Sequence, residues 1–142
     1  MKLESILATK GPAVTTISPE TSVHDAVAIL VERNIGAVVV VDSDRRPVGI
    51  LSERDLIREA NAGPDFLDRP ADLVMTRDVV CGSPGDDVDA VLQTMTAQHF
   101  RHLPITEAGA LIGIVSIGDL VKAQLDQYRG DIETLQTQLM NP

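Results

Sequence analysis

The sequence predicts a mixed α+β (α/β) fold: two β-α-β-β-α units packed with pseudo-two-fold symmetry. Three observations carry this. The stretch GILSERDL at 49–56 returns as GIVSIGDL at 113–120, 64 residues later. Ser18-Pro19 returns as Ser83-Pro84 at an offset of 65. Between these landmarks each copy shows one helical apolar period followed by two short apolar runs. Ala26–Leu56 slides onto Ala90–Leu120 without a gap, so the second copy reads as one residue shorter near Val88. Two copies are too few for a solenoid and suit a pair that buries one shared face.

The elements follow in order. A short strand is expected near Ala13–Thr16 and again near Asp78–Cys81, ended by Ser-Pro because proline cannot continue a ladder. Amphipathic helices are expected over Val23–Arg33 and Val88–Gln98. In the first, Val23, Ala26, Val27, Leu30 and Val31 share a face. Thr21 or Ser22 can cap it, and Asp86 and Asp87 suit the positive end of the second. Strands are expected at Ala37–Val41 and His102–Thr106, then Pro47–Leu51 and Leu111–Val115, with turns at Asp42-Ser43-Asp44 and Glu107-Ala108-Gly109. The closing helices start at Ser52 and Ser116. Ser5–Thr9 reads as a leading helix. Asp119–Met140 reads as a long final helix with Leu125, Tyr128, Ile132, Leu135 and Leu139 at mixed three- and four-residue spacing, weakened in the middle by Gly130. The expected division is repeat one at 8–60, a linker at 61–72, repeat two at 73–125 and a helical tail at 126–142.

Composition narrows the function. The chain has 142 residues, 44% of them hydrophobic, enough for one ordinary domain or two small ones sharing a core. Phe66, Phe100 and Tyr128 are too few aromatics for a base-stacking platform, and a net charge of -9 repels phosphate backbones, so a nucleic-acid role is disfavoured. A lone cysteine, Cys81, makes neither an internal disulfide nor a thiolate metal site; it is expected buried in a strand. No run is long and apolar enough for a membrane span and no signal-peptide core opens the chain, so a cytoplasmic location is expected. The acids at Asp42, Asp44, Asp86, Asp87 and Asp89 lack the ordered spacing of a calcium loop, and no metal site is expected.

Two units that each end in Gly-hydrophobic-hydrophobic-Ser-x-x-Asp-Leu, each with a Ser-Pro start and an Ile-Gly-Ala-Val or Arg-His-Leu-Pro middle, resemble a tandem pair of CBS (cystathionine β-synthase) domains, a Bateman module, over roughly residues 5–125. The resemblance implies a stand-alone, non-catalytic sensor that binds AMP, ADP, ATP, S-adenosylmethionine or NAD in clefts between the repeats, needs no cofactor, and pairs with a second copy through its CBS modules. The regulated partner is not named by the sequence.

Ser52-x-x-Asp55 and Ser116-x-x-Asp119 read first as capping boxes. A helix N-terminus also offers free N–H groups to phosphate, the Ser52 and Ser116 hydroxyls can add a bond, and Asp55 and Asp119 suit the two ribose hydroxyls. Ile50 and Ile114 can form part of an adenine slot. The resemblance further implies that backbone near Ala13–Val14 and Val79–Val80 reads the base edge, and that Arg101-His102 reach phosphate. Copy one has Ala37-Val38 at the matching positions, and Arg54 can replace the missing cation. Asp55 and Asp119 are the only acids the motif repeats, and there is no nucleophile–base pair or metal cluster, so an enzyme is not expected. The alternative is a structural dimerisation scaffold without ligand.

Overall fold

The computed structural model describes residues 1–11 and 13–140. The chain runs α1 (Leu3–Lys10), β1 (Thr16–Ile17), α2 (Val23–Arg33), β2 (Ala37–Val41), β3 (Pro47–Ser52), α3 (Glu53–Ala60), two 3-10 turns (Pro64–Asp68 and Ala71–Leu73), α4 (Val88–Gln98), β4 (His102–Glu107), β5 (Ala110–Ser116) and α5 (Ile117–Met140). β1 lies parallel to β2, which is antiparallel to β3, and β4 is antiparallel to β5. Ser22 caps α2 by accepting from Asp25 N–H, and Asp87 caps α4 by accepting from Ala90 N–H.

The repeats are built as two cores. Ile17, Val23, Ala26, Leu30, Val38, Val40 and Leu51 form the first, joined by Ala71, Val74 and Met75 from beyond α3. Val88, Met95, Leu103, Ile105, Val115 and Leu120 form the second, joined by Leu3 and Ile6 of α1. The arm preceding each repeat therefore crosses to the other. The crossing is symmetric in detail. Ala71 N–H donates to Thr21 O at 2.7 Å, and Leu3 N–H donates to Asp86 O at 3.0 Å. Met75 lies on Gly49 and Leu7 lies on Gly113, so closely that a Cβ on either glycine would overlap the arm. These two glycines are the repeated Gly of the motif, and arm docking accounts for them.

Several expectations change. The strand near 13–16 is shorter and later, Thr16–Ile17, and 78–81 forms no strand. In repeat one Val39 N–H donates to Thr15 O; the equivalent residue in repeat two is Pro104, which has no N–H, so pairing reduces to a bridge between Gly82 and Ile105. Cys81, on that unpaired stretch, is exposed and not buried in a strand. Val31 is 75% exposed, because the buried arc of α2 runs through Val23, Ala26 and Leu30 and leaves Val31 beyond its edge.

The missing residue is not near Val88. α2 and α4 superpose at an offset of 65, as do β2 and β4: Ala37 pairs with Ser52, and His102 pairs with Ser116. The offset falls to 64 only after the hairpin turn, where Asp42–Arg46 is replaced by a tighter turn through Ala108 and Gly109, both at positive φ. Copy one's counterparts of Arg101-His102 are thus Gly36-Ala37, not Ala37-Val38.

Among the described residues no helix is long and apolar enough to cross a membrane, and no group of three or more His, Cys, Asp or Glu could hold a metal ion.

Candidate functional site

The turn from β3 into α3 opens on a cavity of about 610 Å³, within the roughly 300–1,000 Å³ usual for small-molecule sites. Both repeats line it. Repeat one supplies Ile50, Ser52, Arg54 and Asp55; repeat two supplies Arg101 and His102. The sequence leaves open whether these cations serve one cleft or two; the fold brings them to one opening. It also adds Glu53, Arg58, Thr76, His99 and Phe100. Arg58 was findable, since it lies one helical turn beyond Arg54 and Asp55. Thr76 was not, because its place depends on the crossing arm.

Asp55 is only 3% exposed. Its Oδ2 accepts from Ser52 N–H at 3.0 Å and from the Ser52 hydroxyl at 3.1 Å, while its Oδ1 accepts from the Thr76 hydroxyl at 3.0 Å. Arg58 Nη1 stands 3.7 Å from the same Oδ1. The capping box is complete, with Asp55 N–H donating to Ser52 Oγ. Asp55 thus joins α3, β3 and the arm.

The second box differs. Ser116 N–H donates to Asp119 Oδ2 at 2.8 Å, and Asp119 N–H donates to Ser116 Oγ at 3.1 Å. Lys10 Nζ, at the end of α1, donates to Asp119 Oδ2 at 2.7 Å and to Ile114 O at 2.9 Å. At the first box the corresponding bonds come from the Thr76 hydroxyl to Asp55 and the Thr76 N–H to Ile50 O, so one lysine side chain does the work of a threonine and its backbone. Burial works against the Asp119 charge, but the bonds from Lys10 and Ser116 outweigh it and hold the carboxyl below its ordinary value. Ile114, Ser116 and Asp119 do not line the cavity; Lys10 bonds the Ile114 carbonyl and the Asp119 carboxylate, which stays 30% exposed. Ala13, Val14 and Val80 do not border the cavity either; Ala13 and Val80 are exposed.

The cavity is charged unevenly. Arg54 Nη1 donates to His99 O at 3.1 Å, tying α3 to the end of α4. His99 there takes a left-handed conformation, φ 60°, as the C-cap. His102 and Glu53 meet beside Gly36. Burial pushes the His102 imidazole below its ordinary value, with the Glu53 and Asp119 charges opposing and those of Lys10 and Arg101 reinforcing it. Three arginines and two histidines against two carboxylates at a helix N-terminus form an anion-accepting opening with an isoleucine wall.

A β-α-β-β-α unit and a second unit that lacks only its first strand, with a polar cleft between them, define a two-repeat module, and known proteins share it. The CBS domain family matches residues 6–62 and 71–126, and the chain belongs to that family. It is 39% identical over 128 residues to a 17.7 kDa protein of Acidianus ambivalens, covering 89% of this chain and 75% of that one. The CBS-domain protein ATU1752 of Agrobacterium tumefaciens has a similar structure, with a TM-score of 0.83 at 39% identity, covering 87% of this chain and 99% of that chain. The CBS domain pair of protein MJ0100, solved in complex with 5'-methylthioadenosine and S-adenosyl-L-methionine, shares the fold at 24% identity, with a TM-score of 0.78 over 89% of this chain and 98% of that chain.

Proposed function

We propose that this chain is a non-catalytic regulatory sensor whose cleft at the start of α3 takes an adenosine nucleotide of the AMP, ATP or NAD type. One observation carries the reading: Arg54 and Arg58 from one repeat and Arg101 and His102 from the other line one opening at a helix N-terminus. A phosphate there gains charge-assisted bonds from both repeats, and Ile50 and Ile57 offer apolar surface to the base. The ligands of MJ0100 support the adenosine part of this reading; the phosphate part rests on the arginines. Because the arginines and His102 gather at the Asp55 opening, while Asp119 is already bonded by Lys10 and lines no part of it, the reading is one nucleotide per chain. A ligand gripping both repeats stabilises the pair by mass action.

Calorimetric titration with AMP, ADP, ATP, NAD and S-adenosylmethionine tests this. One or more is expected to bind at one per chain, and Arg101→Ala is expected to weaken binding by about tenfold or more, the loss of one charge-assisted contact. Absence of binding across the panel, in folded protein free of ligand, leaves the scaffold reading.

The histidine adds a pH signature. A bound anion favours protonated His102, whose imidazole is held low in the free protein. Affinity for NAD, whose diphosphate keeps its charge throughout, is expected to rise as pH falls below about 6.5, the unperturbed imidazole value. In His102→Gln that rise is expected to vanish. In the free protein the sign is opposite: protonation is disfavoured in the fold, so the His102 contribution to stability is lost as pH falls below the same value.

A further inference from the structure

From 125 to 140 every residue of α5 is exposed, and this part of the helix projects from the module. Its apolar residues are not scattered. Val121, Leu125, Tyr128, Ile132, Leu135 and Leu139 recur at intervals of four, three, four, three and four. That is a period of 3.5, the a/d seam of a left-handed coiled coil, with Leu125, Ile132 and Leu139 at a and Val121, Tyr128 and Leu135 at d. Exposure of these side chains climbs from 42% at Val121 to 82% at Leu139. Gly130 falls at f, the position farthest from the seam, where a missing side chain costs packing nothing.

We propose that α5 pairs in parallel and in register with α5 of a second copy of this chain. The period selects the occupant: knobs spaced every 3.5 residues fit holes of the same spacing, and an identical helix supplies them. Area agrees. Six side chains offering on the order of 100 Å² each approach the roughly 800 Å² per partner of a stable interface. Charge selects the direction. In the parallel arrangement each g residue faces the partner's next e residue, so Asp131 meets Gln136, and Gln124, whose amide donates to Asp89 of α4, lies on the side of Arg129, with no like charges opposed. In an antiparallel pair with full overlap, centred between Tyr128 and Ile132, Arg129 faces its own copy and so does Asp131. A parallel seam sets two modules side by side at its Val121 end.

The test is cross-linking in the full chain. In a Cys81→Ser background, Leu139→Cys is expected to oxidise to a disulfide-linked dimer, since a parallel register places the two a positions together. Adding Ile132→Glu and Leu135→Glu is expected to slow cross-linking at least tenfold, and sedimentation velocity of the Glu pair without the new cysteine shows whether the seam alone holds the dimer. Both substituted residues are exposed, outside either core, so the module's melting transition is expected to persist as the control. Failure to cross-link, or cross-linking at an unchanged rate with the Glu pair present, overturns the proposal.

Discussion

Leu3→Ala is expected to lower the melting midpoint by about 10 °C, although Leu3 lies near the very start of the chain. Its side chain is fully buried in the core of the second repeat, among Val88, Met95 and Leu120. Truncating a buried leucine costs about 2–5 kcal/mol through lost transfer energy and the cavity left behind. For a chain of this size each kcal/mol shifts the midpoint by about 3–4 °C. Val31→Ala, on an exposed position of α2, is expected to stay within about 0.5 kcal/mol. Differential scanning calorimetry of both variants checks this. An unchanged midpoint for Leu3→Ala would mean that α1 does not hold the second repeat together.

Asp55→Ala is expected to cost a similar amount, about 2–4 kcal/mol, from loss of an N-cap interaction and of buried acceptors for Ser52 and Thr76. Asp119→Ala is expected to cost less, because its carboxylate is 30% exposed and its ion pair with Lys10 is partly screened. Urea unfolding of the two variants checks the order; equal losses would contradict it. Ligand experiments inherit a constraint. Loss of binding in Asp55→Ala reports folding as much as ribose recognition, so Arg101 and His102 are the cleaner probes of the site. Asp119 carries the acid dependence: its carboxyl is held low in the fold, so its contribution is present above the unfolded value near 3.9 and is lost as pH falls through the lower folded one.

Most of the fold was legible because it rests on local period. The limits of α2, α4 and β2 follow directly from the apolar pattern, and Ser52-x-x-Asp55 declares its helix start. The repeat marked Arg54, Arg101 and His102 as cations split between the copies, but not that they line one opening. What was hidden depended on pairing across the chain. Identical letters at Ala26 and Ala90 favoured a slide of 64, but the buried faces Val23, Ala26, Leu30 and Val88, Val91, Met95 match at 65. The short arms Leu3–Leu7 and Ala71–Met75 are apolar enough to dock, yet nothing local says on which core. That choice set Lys10 on Asp119 and brought Thr76 onto Asp55 at the cleft.

The crossing of the arms makes the two cores unequal in the order of synthesis. All members of the first core fall within residues 17–75, so it can close once that stretch has left the ribosome. The second draws on Leu3 and Ile6 and also on Leu120, a span that embraces the whole first repeat. Helix α1 is therefore made before the first repeat and buried after it. During elongation its apolar face waits while the first repeat folds, and closure of the second repeat carries the higher loop entropy. Vectorial folding in this chain runs from a local half to a non-local one, and Lys10 reaches Asp119 only at the final step.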